Sequence, residues 1–124
     1  NVNMTKYHSE HTWVRIDADT VFVGITVHAQ ETLGDIVFVD FADIGKPYDQ
    51  GSVAGVVESV KAAADVHMPI SATVLEVNED LRADPSLANS DPEGAGWFYK
   101  VQLNHATEVD DLMDAAAYQA FAGQ

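Results

Sequence analysis

Short runs of β-branched and aromatic residues, separated by turn-forming residues, recur along most of this 124-residue chain. Such runs are typical of β-strands, and short strands at regular spacing favour antiparallel pairing. The clearest runs span 12–16, 20–25, 36–41, 53–60, 73–77 and 97–103. We therefore predict a mostly β fold, an antiparallel β-sandwich or flattened barrel, with short helices only at its margins.

Helices are predicted at two places, and a single helical turn is predicted at 85–88, with Asp84 as a possible cap. Thr26 can cap a short helix that Gly34 ends. A C-terminal helix is predicted over about 110–122, because apolar residues recur there at helical spacing. A turn is predicted at 17–19, where two aspartates flank an alanine. The chain length favours a single domain over residues 1–124.

The composition excludes several classes of function. A formal net charge of −14 opposes binding to nucleic acid and to anionic membranes, and no apolar stretch reaches bilayer-spanning length. The absence of cysteine excludes disulfides and thiol nucleophiles. Of the five histidines only His8 and His11 are close, and strand geometry would turn them to opposite faces, so we predict no metal site. We expect a soluble monomer.

Lys61 is the most informative single residue. It lies between two predicted strands at the tip of a hairpin, and three alanines follow it, in a chain with four lysines and two arginines against twenty acids. A tight turn projects its side chain, and the alanines leave room around the amine. That amine is normally protonated at neutral pH, so acylation would need an ATP-driven ligase. The pattern indicates covalent attachment, and the alternative is an ordinary solvated lysine.

Catalytic patterns are missing from the sequence. The chain has no Ser-His-Asp order, no phosphate-binding loop and no pair of carboxylates that would predict a hydrolytic pocket. We therefore interpret the chain as a non-catalytic carrier rather than an enzyme.

Several sequence blocks, in order, carry a resemblance to a known family. From about Tyr7 to the C-terminal helix, the chain resembles the lipoyl-carrying H proteins of the glycine cleavage system. The blocks are HTWVR (11–15), VGITVHAQETLGDIVFV (23–39), ESVKAAAD (58–65), the stretch 69–78, and DPSLANSDP (84–92) leading into Gly96 and Trp97. Each block alone is weakly specific, and their order and spacing together are strongly specific. The fold implied is the lipoyl-domain-like barrel-sandwich hybrid.

The resemblance implies that Lys61 carries lipoic acid in amide linkage and that the protein serves glycine catabolism and one-carbon metabolism. It would take an aminomethyl group from a pyridoxal-phosphate glycine decarboxylase to a tetrahydrofolate-dependent aminomethyltransferase. Dihydrolipoyl dehydrogenase would reoxidise the arm, and a lipoate ligase or lipoyl transferase would attach it. The implied compartment is the bacterial cytoplasm, or the mitochondrial matrix in a eukaryote.

Four further residues are candidate contacts of the arm or the ligase. The resemblance implies an acid before the tryptophan that helps to hold the positively charged methylamine, where this chain has Thr12, and Glu10 is the candidate substitute. His28 is placed beside the arm, or is a helix-start residue satisfied by local hydrogen bonds. Glu58 is either recognised by the lipoylating enzyme or a solvated strand residue. Relatives also have glycine at Ala72, where a positive φ would strain alanine.

Three alternative functions remain open. The first is a biotin acceptor, although biotinyl lysines are typically flanked by methionines, whereas Val60 and Ala62 flank Lys61. The second is a lipoyl domain of a 2-oxo-acid acyltransferase, although such domains normally have aspartate before the lysine, where this chain has Val60, and lie in longer chains. The third alternative is an H-like lipoate donor, or an unmodified interaction module outside glycine cleavage, and Thr12 favours it.

Overall fold

Two antiparallel sheets form the body of the protein, in a computed structural model that describes residues 4–17 and 20–122. The strands are β1 (Met4–His8), β2 (Thr12–Asp17), β3 (Thr20–Ile25), β4 (Ile36–Phe41), β5 (Pro47–Tyr48), β6 (Val53–Ser59), β7 (Ala63–His67), β8 (Ala72–Val77) and β9 (Tyr99–Leu103). One sheet has the order β1-β2-β3-β9-β8-β5 and the other β4-β6-β7. Of the predicted turn at 17–19, residues 18 and 19 lie outside the described residues.

The predicted mostly β, antiparallel architecture with short helices and a C-terminal helix is confirmed. In the larger sheet β9 lies between β3 and β8, and β5 lies at the edge beside β8. Neither sheet closes on itself, so the sandwich alternative describes the molecule better than a barrel. The helices are α1 (Val27–Leu33), α2 (Glu79–Ala83), α3 (Leu87–Ser90) and α4 (Ala115–Ala122), with a 3₁₀ helix at Ala106–Asp111.

The core lies between the two sheets and anchors the strands that carry Lys61. Val57 of β6 and Val66 of β7 are almost fully buried, as are Val23 and Val74 of the larger sheet. Burying a side chain of this size stabilises the fold by roughly 1.5–3 kcal/mol. The β6–β7 hairpin is therefore held at its base while its tip projects.

Tyr99 joins the two sheets by hydrogen bonds. Its hydroxyl donates to the carbonyl of Ala54 at 2.6 Å and accepts from the amide of Ala42 at 2.7 Å. A Cβ added at Gly55, where φ is +118°, would lie 2.6 Å from that hydroxyl. Gly55 is therefore required both by its backbone conformation and by the close approach of Tyr99.

The short helix predicted after Thr26 is confirmed as α1. The Thr26 hydroxyl accepts a hydrogen bond from the amide of Ala29 at 3.1 Å, and Gly34 ends the helix with φ +80°. These are the N-cap and C-terminal glycine expected for a helix of this length. The chain therefore passes from α1 to β4 through a short connection whose backbone conformation requires glycine at position 34.

The C-terminal helix predicted over about 110–122 is wrong at its start, because α4 begins at Ala115. Met113 leaves helical geometry to pair with Tyr7, through backbone bonds of 2.8 and 3.0 Å in the two directions. Asp114 then starts α4 by accepting from the amide of Ala117 at 2.8 Å. A long-range bridge thus overrides the local helical pattern.

Ala72 needs no special backbone conformation. It lies in β8, paired with Leu103 and Tyr48, and His11 is the only non-glycine residue with positive φ within 4–17 and 20–122. The strain considered for alanine at this position therefore does not arise.

Candidate functional site

Lys61 is exposed in the turn between β6 and β7, and Ser59 fixes the shape of that turn. The Ser59 hydroxyl accepts hydrogen bonds from the amides of Lys61 and Ala62, each at 3.1 Å. The Ser59 amide donates to the carbonyl of Ala62 at 2.8 Å. The lysine backbone is therefore held by a side chain as well as by strand pairing, and exposed Ala62 and Ala63 leave its amine accessible.

The connection between α1 and β4 contacts the aliphatic part of the Lys61 side chain at Gly34, and we call this contact the seat of the lysine. A Cβ added at Gly34 would lie 3.2 Å from Cε of Lys61, so the stem passes directly over this glycine. The amide of Val60 donates to the carbonyl of Asp35 at 3.0 Å, which ties the turn to the same connection. The direction of the lysine side chain therefore depends on residues nearly thirty positions earlier.

Asn89, in α3, holds that connection in place. Its side-chain carbonyl accepts from the amide of Ile36 at 2.8 Å. Its NH₂ group donates to the carbonyl of Gly34 and to the side chain of Gln30, each at 2.9 Å. Because both ends of this amide are satisfied, Asn89 fixes the seat of Lys61 without touching the lysine.

A pocket of about 340 Å³ opens beside this seat, between α1, β7 and the start of β2. Its apolar wall consists of Ile25, Ala29, Leu33, Val57, Ala64 and Val66. Its polar part consists of Glu10, His11, Thr12, His28, Asp65 and His67, with Thr32 beside the apolar wall. The pocket therefore offers an apolar path that begins near Lys61 and reaches a polar region contributed by both sheets.

Two polar atoms of this pocket have no hydrogen-bond partner within the part of the chain that the structure describes. They are the hydroxyl of Thr12, whose residue is 1% exposed, and Nδ1 of His67. A Glu10 carboxylate oxygen lies 3.9 Å from Nδ1 of His67, which is too long for a hydrogen bond. Buried polar groups are nearly always paired, so these two atoms are exceptions, and both belong to residues that line the polar part of the pocket.

His11 borders the pocket and connects it to the C-terminal helix. Its ring lies 4.6 Å from that of His28, and its Nδ1 lies 2.6 Å from the Tyr118 hydroxyl. The Thr26 hydroxyl lies 2.8 Å from the Tyr118 hydroxyl and also accepts from the amide of Ala29. The Tyr118 hydroxyl thus bridges the Thr26 hydroxyl and Nδ1 of His11.

This arrangement makes stability depend on pH. Burial, and then the neighbouring His28, lower the pKa of His11 below its ordinary 6.5. The unfolded state therefore takes up a proton more readily, so stability is lost as pH falls through 6.5 and below. We expect the thermal midpoint to decrease between pH 7.5 and 5.5. His11→Asn should reduce that dependence, since asparagine tolerates the φ of +67° and does not titrate.

Some of the pH dependence of the thermal midpoint should remain in His11→Asn, because burial also lowers the pKa of His8. Thermal unfolding followed by circular dichroism at several pH values measures the comparison. Equal slopes for wild type and His11→Asn would contradict the assignment of the effect to His11.

Within residues 4–17 and 20–122 no helix has both the length and the apolar character needed to cross a membrane. Among the same residues, no three histidine, aspartate or glutamate side chains are grouped so that they could hold a metal ion.

Comparison with known proteins shows the family. A family model described as Glycine cleavage H-protein matches residues 5–124. The chain belongs to this family. The glycine cleavage system H protein of Thermotoga maritima is 48% identical over 123 residues, covering 99% of both chains. That of Chromobacterium violaceum is 56% identical over 114 residues, covering 91% of this chain and 89% of the relative.

A solved structure agrees with this assignment. The crystal structure of a glycine cleavage system H protein from Mycobacterium marinum superposes with a TM-score of 0.87 at 35% identity, covering all of both chains. H proteins are carrier components of the glycine cleavage system and not catalysts, so the interpretation of this chain as a non-enzymatic carrier is confirmed.

The candidate residues of the sequence analysis fall into two groups in this H-protein fold. Glu10, Thr12 and His28 line the pocket, and Lys61 lies beside it at the hairpin tip. Glu58 does not join them: it is exposed on β6, opposite Phe38 and Ala63.

Sequence reasoning missed other residues of the site. Asp65 and His67 line the pocket, and their spacing of two along β7 could have placed them on a common face with each other. Asn89 and Gly34 were within resembling blocks but carried no local signal for contact with the lysine turn. Their roles depend on packing between α3 and the α1–β4 connection.

Proposed function

We propose that this H protein carries a lipoyl group in amide linkage on Lys61. The observation that carries the proposal is the seating of the lysine stem on Gly34 at an exposed turn, directly beside a pocket with an apolar wall. When attached, the lipoyl group supplies a disulfide that accepts the aminomethyl group of glycine and the accompanying electrons.

The residues present fit such a group. Lys61 is exposed for attachment, and small exposed alanines follow it. An acyl chain leaving this amine would meet Leu33, Val57 and Ala64 along the apolar wall of the pocket. Contact with that wall removes apolar surface from water, which favours a docked arm by about 25 cal/mol per Å² buried. A docked arm would also be shielded from hydrolysis.

We propose that the protein carries the aminomethyl group from glycine decarboxylase to the aminomethyltransferase, and electrons to dihydrolipoyl dehydrogenase. A lipoate ligase or lipoyl transferase would attach the arm. The net charge of −14 favours steering toward basic surfaces on these partners. We place the protein as a monomer in the bacterial cytoplasm, since the relatives compared above are bacterial.

Reconstituted glycine–bicarbonate exchange tests this function. Lipoylated protein is added to the partner glycine decarboxylase with labelled bicarbonate, and incorporation of label into glycine is measured. We expect exchange that depends on lipoylation of the H protein. Lipoylated protein that supports no exchange would contradict the proposal.

A lipoate relay is the second candidate, and Thr12 is the residue that favours it. Relay requires attachment and transfer of the lipoyl group but no site for a charged methylamine. In the exchange assay we expect Thr12→Glu to perform no better than the wild type, because other acceptors line the pocket. A large gain in exchange on introducing glutamate would favour the relay for the natural chain.

Ser59 offers a test of how the lysine is presented. Ser59→Ala removes the acceptor of two turn amides, and because the turn is exposed we expect stability to fall by no more than about 1 kcal/mol. We expect ligase-catalysed lipoylation to slow several-fold, measured as kcat/KM by mass spectrometry. Ser59→Thr keeps the hydroxyl and should retain the wild-type rate. Equal rates for the alanine and threonine variants would contradict this role.

A further inference from the structure

Helix α1 carries the seat of Lys61 at its C-terminal end, and little of the helix is buried. None of the residues Val27–Leu33 is fully buried, and Ala29 and Leu33 pack half-buried against the core. The helix ends at Gly34, where the lysine stem lies. Because α1 buries little apolar surface, its position depends strongly on the hydrogen bonds at its two ends.

Glu93 holds the first residue of α1 from outside the helix. One oxygen of its carboxylate accepts a hydrogen bond from the amide of Val27 at 3.0 Å, and the other accepts from the Tyr7 hydroxyl at 2.9 Å. The first amides of a helix have no partner within it, so Glu93 satisfies an amide that the helix itself cannot. The same carboxylate therefore ties the start of α1 to β1.

The loop that presents this carboxylate is fixed to β2. Arg15 donates a hydrogen bond to the main-chain carbonyl of Glu93. The ring nitrogen of Trp13, which is fully buried, donates to the carbonyl of Pro92 at 3.1 Å. Glu93 therefore acts from a support that belongs to the larger sheet.

Asn89 holds the last turn of α1, four positions before Glu93 in the chain. Its NH₂ group donates to the carbonyl of Gly34 and to the side chain of Gln30. Residues 89–93, which we call the clamp, therefore contact α1 at both ends, which are separated by roughly 10 Å at the usual rise of a helix. A helix held in this way cannot turn or slide without breaking one of these hydrogen bonds.

We propose that Glu93 is a positioning residue for Lys61 and acts through α1. This rests on the proposed function, in which Lys61 is the residue that is acylated. Without the Glu93 carboxylate the clamp would hold α1 at one end, and Gly34 would no longer stay at a fixed position beside the lysine stem. The amine would remain accessible to the ligase but would occupy its reactive position less often.

Amide hydrogen exchange of unlipoylated protein tests the clamp without any ligase. For Glu93→Ala we expect the amides of residues 30–34 to exchange about tenfold faster, and the amide of Val60, which donates to the carbonyl of Asp35, to exchange faster as well. The amides of β8 and β9 should exchange at the wild-type rate. Unchanged exchange in α1 or at Val60 would overturn the inference, as would an equal rise in β8 and β9, which would indicate a global loss of stability.

Glu93→Gln separates the hydrogen bonds from the charge. Its side-chain carbonyl can accept from the amide of Val27 while its NH₂ group donates to the Tyr7 hydroxyl, so we expect exchange in α1 near the wild-type rate. Glu79→Ala is the matched control for loss of a carboxylate, because Glu79 is exposed at the start of α2 and pairs with Arg82. An effect of Glu79→Ala on α1 equal to that of Glu93→Ala would contradict the clamp, and so would a glutamine variant that exchanges as fast as the alanine variant.

Ligase-catalysed lipoylation tests whether the clamp acts on Lys61. We expect Glu93→Ala to lower kcat about threefold and to leave the KM for the carrier protein unchanged, because the exposed lysine turn is itself intact. Glu93→Gln should restore the wild-type kcat. A wild-type kcat for Glu93→Ala, or a change confined to KM, would overturn the positioning role.

A double variant tests the route through the seat of the lysine. In Gly34→Ala protein the lysine stem is already displaced, so adding Glu93→Ala should slow lipoylation little further. Independent effects would instead multiply to about ninefold, and that result would contradict a route through α1.

The proposed function and the positioning role fail in different ways. Protein that takes no lipoyl group, but whose Val60 amide responds to Glu93→Ala and recovers with Glu93→Gln, contradicts the function and supports the positioning role. Lipoylated protein that is active in glycine–bicarbonate exchange, and whose lipoylation rate is unchanged by Glu93→Ala, supports the function and overturns the positioning role.

Discussion

Lys61→Arg is expected to reduce glycine–bicarbonate exchange to the background of the decarboxylase alone. Arginine keeps the positive charge and a stem of similar length, so the exposed turn should fold unchanged. Its guanidinium is not deprotonated in proteins and cannot be acylated in place of the lysine amine. The expected loss is complete because no other group of the protein would carry the arm.

Lys46→Arg is the matched control for this change. Lys46 is also exposed, and its charged end lies 5.4 Å from the Tyr48 ring centre, a contact that arginine can keep. We expect wild-type exchange from this variant. Exchange by Lys61→Arg protein at the wild-type rate would refute attachment at position 61.

Gly34→Ala is expected to impair both stability and lipoylation. Gly34 has φ +80° and ψ −155°, a combination that side-chain-bearing residues avoid, so strain of about 2 kcal/mol is expected. The new methyl group would also lie 3.2 Å from Cε of Lys61, so the lysine stem would have to move by a few tenths of an ångström. Because transfer to the amine needs accurate placement, we expect lipoylation to slow by about threefold.

Gly45→Ala separates strain from displacement of the lysine. Gly45 has φ +87°, and a Cβ there would meet no atom within 4 Å. It should therefore lose stability to a similar extent and be lipoylated at the wild-type rate. Urea unfolding and the ligase assay measure the two quantities. Equal slowing of lipoylation in both variants would attribute the Gly34 effect to lost stability.

The sequence predicts those parts of the fold whose causes are local. The strands can be recognised from their β-branched and aromatic residues. The ends of α1 can be recognised from Thr26 and Gly34, because their capping hydrogen bonds are made to residues three or four positions away. The turn that carries Lys61 has the same local character. These features could be placed without knowing which strands pair.

The remaining features depend on long-range pairing. The start of α4 is set by the bridge between Met113 and Tyr7, which no helical pattern at 110–122 reveals. A register shift between Ile36 and Phe38 leaves Val37 and Phe38 both exposed, against simple alternation. Such shifts become visible only once β4 is paired with β6.

The pocket depends on the same long-range order. His67 and Thr12 lie in different sheets, so their unsatisfied atoms can be recognised only after the sheets pack. Asn89 acts on Lys61 through the Gly34 connection, more than fifty residues earlier in the chain. Family resemblance identified Thr12 as a departure, but it could not show which side chains surround it.

Peptide mass mapping of protein purified from a host supplied with lipoate tests attachment at Lys61 most directly. We expect one lipoyl group per chain, on the peptide that contains Lys61. A lipoyl group on Lys6, Lys46 or Lys100, or a biotin-sized addition at Lys61, would contradict it.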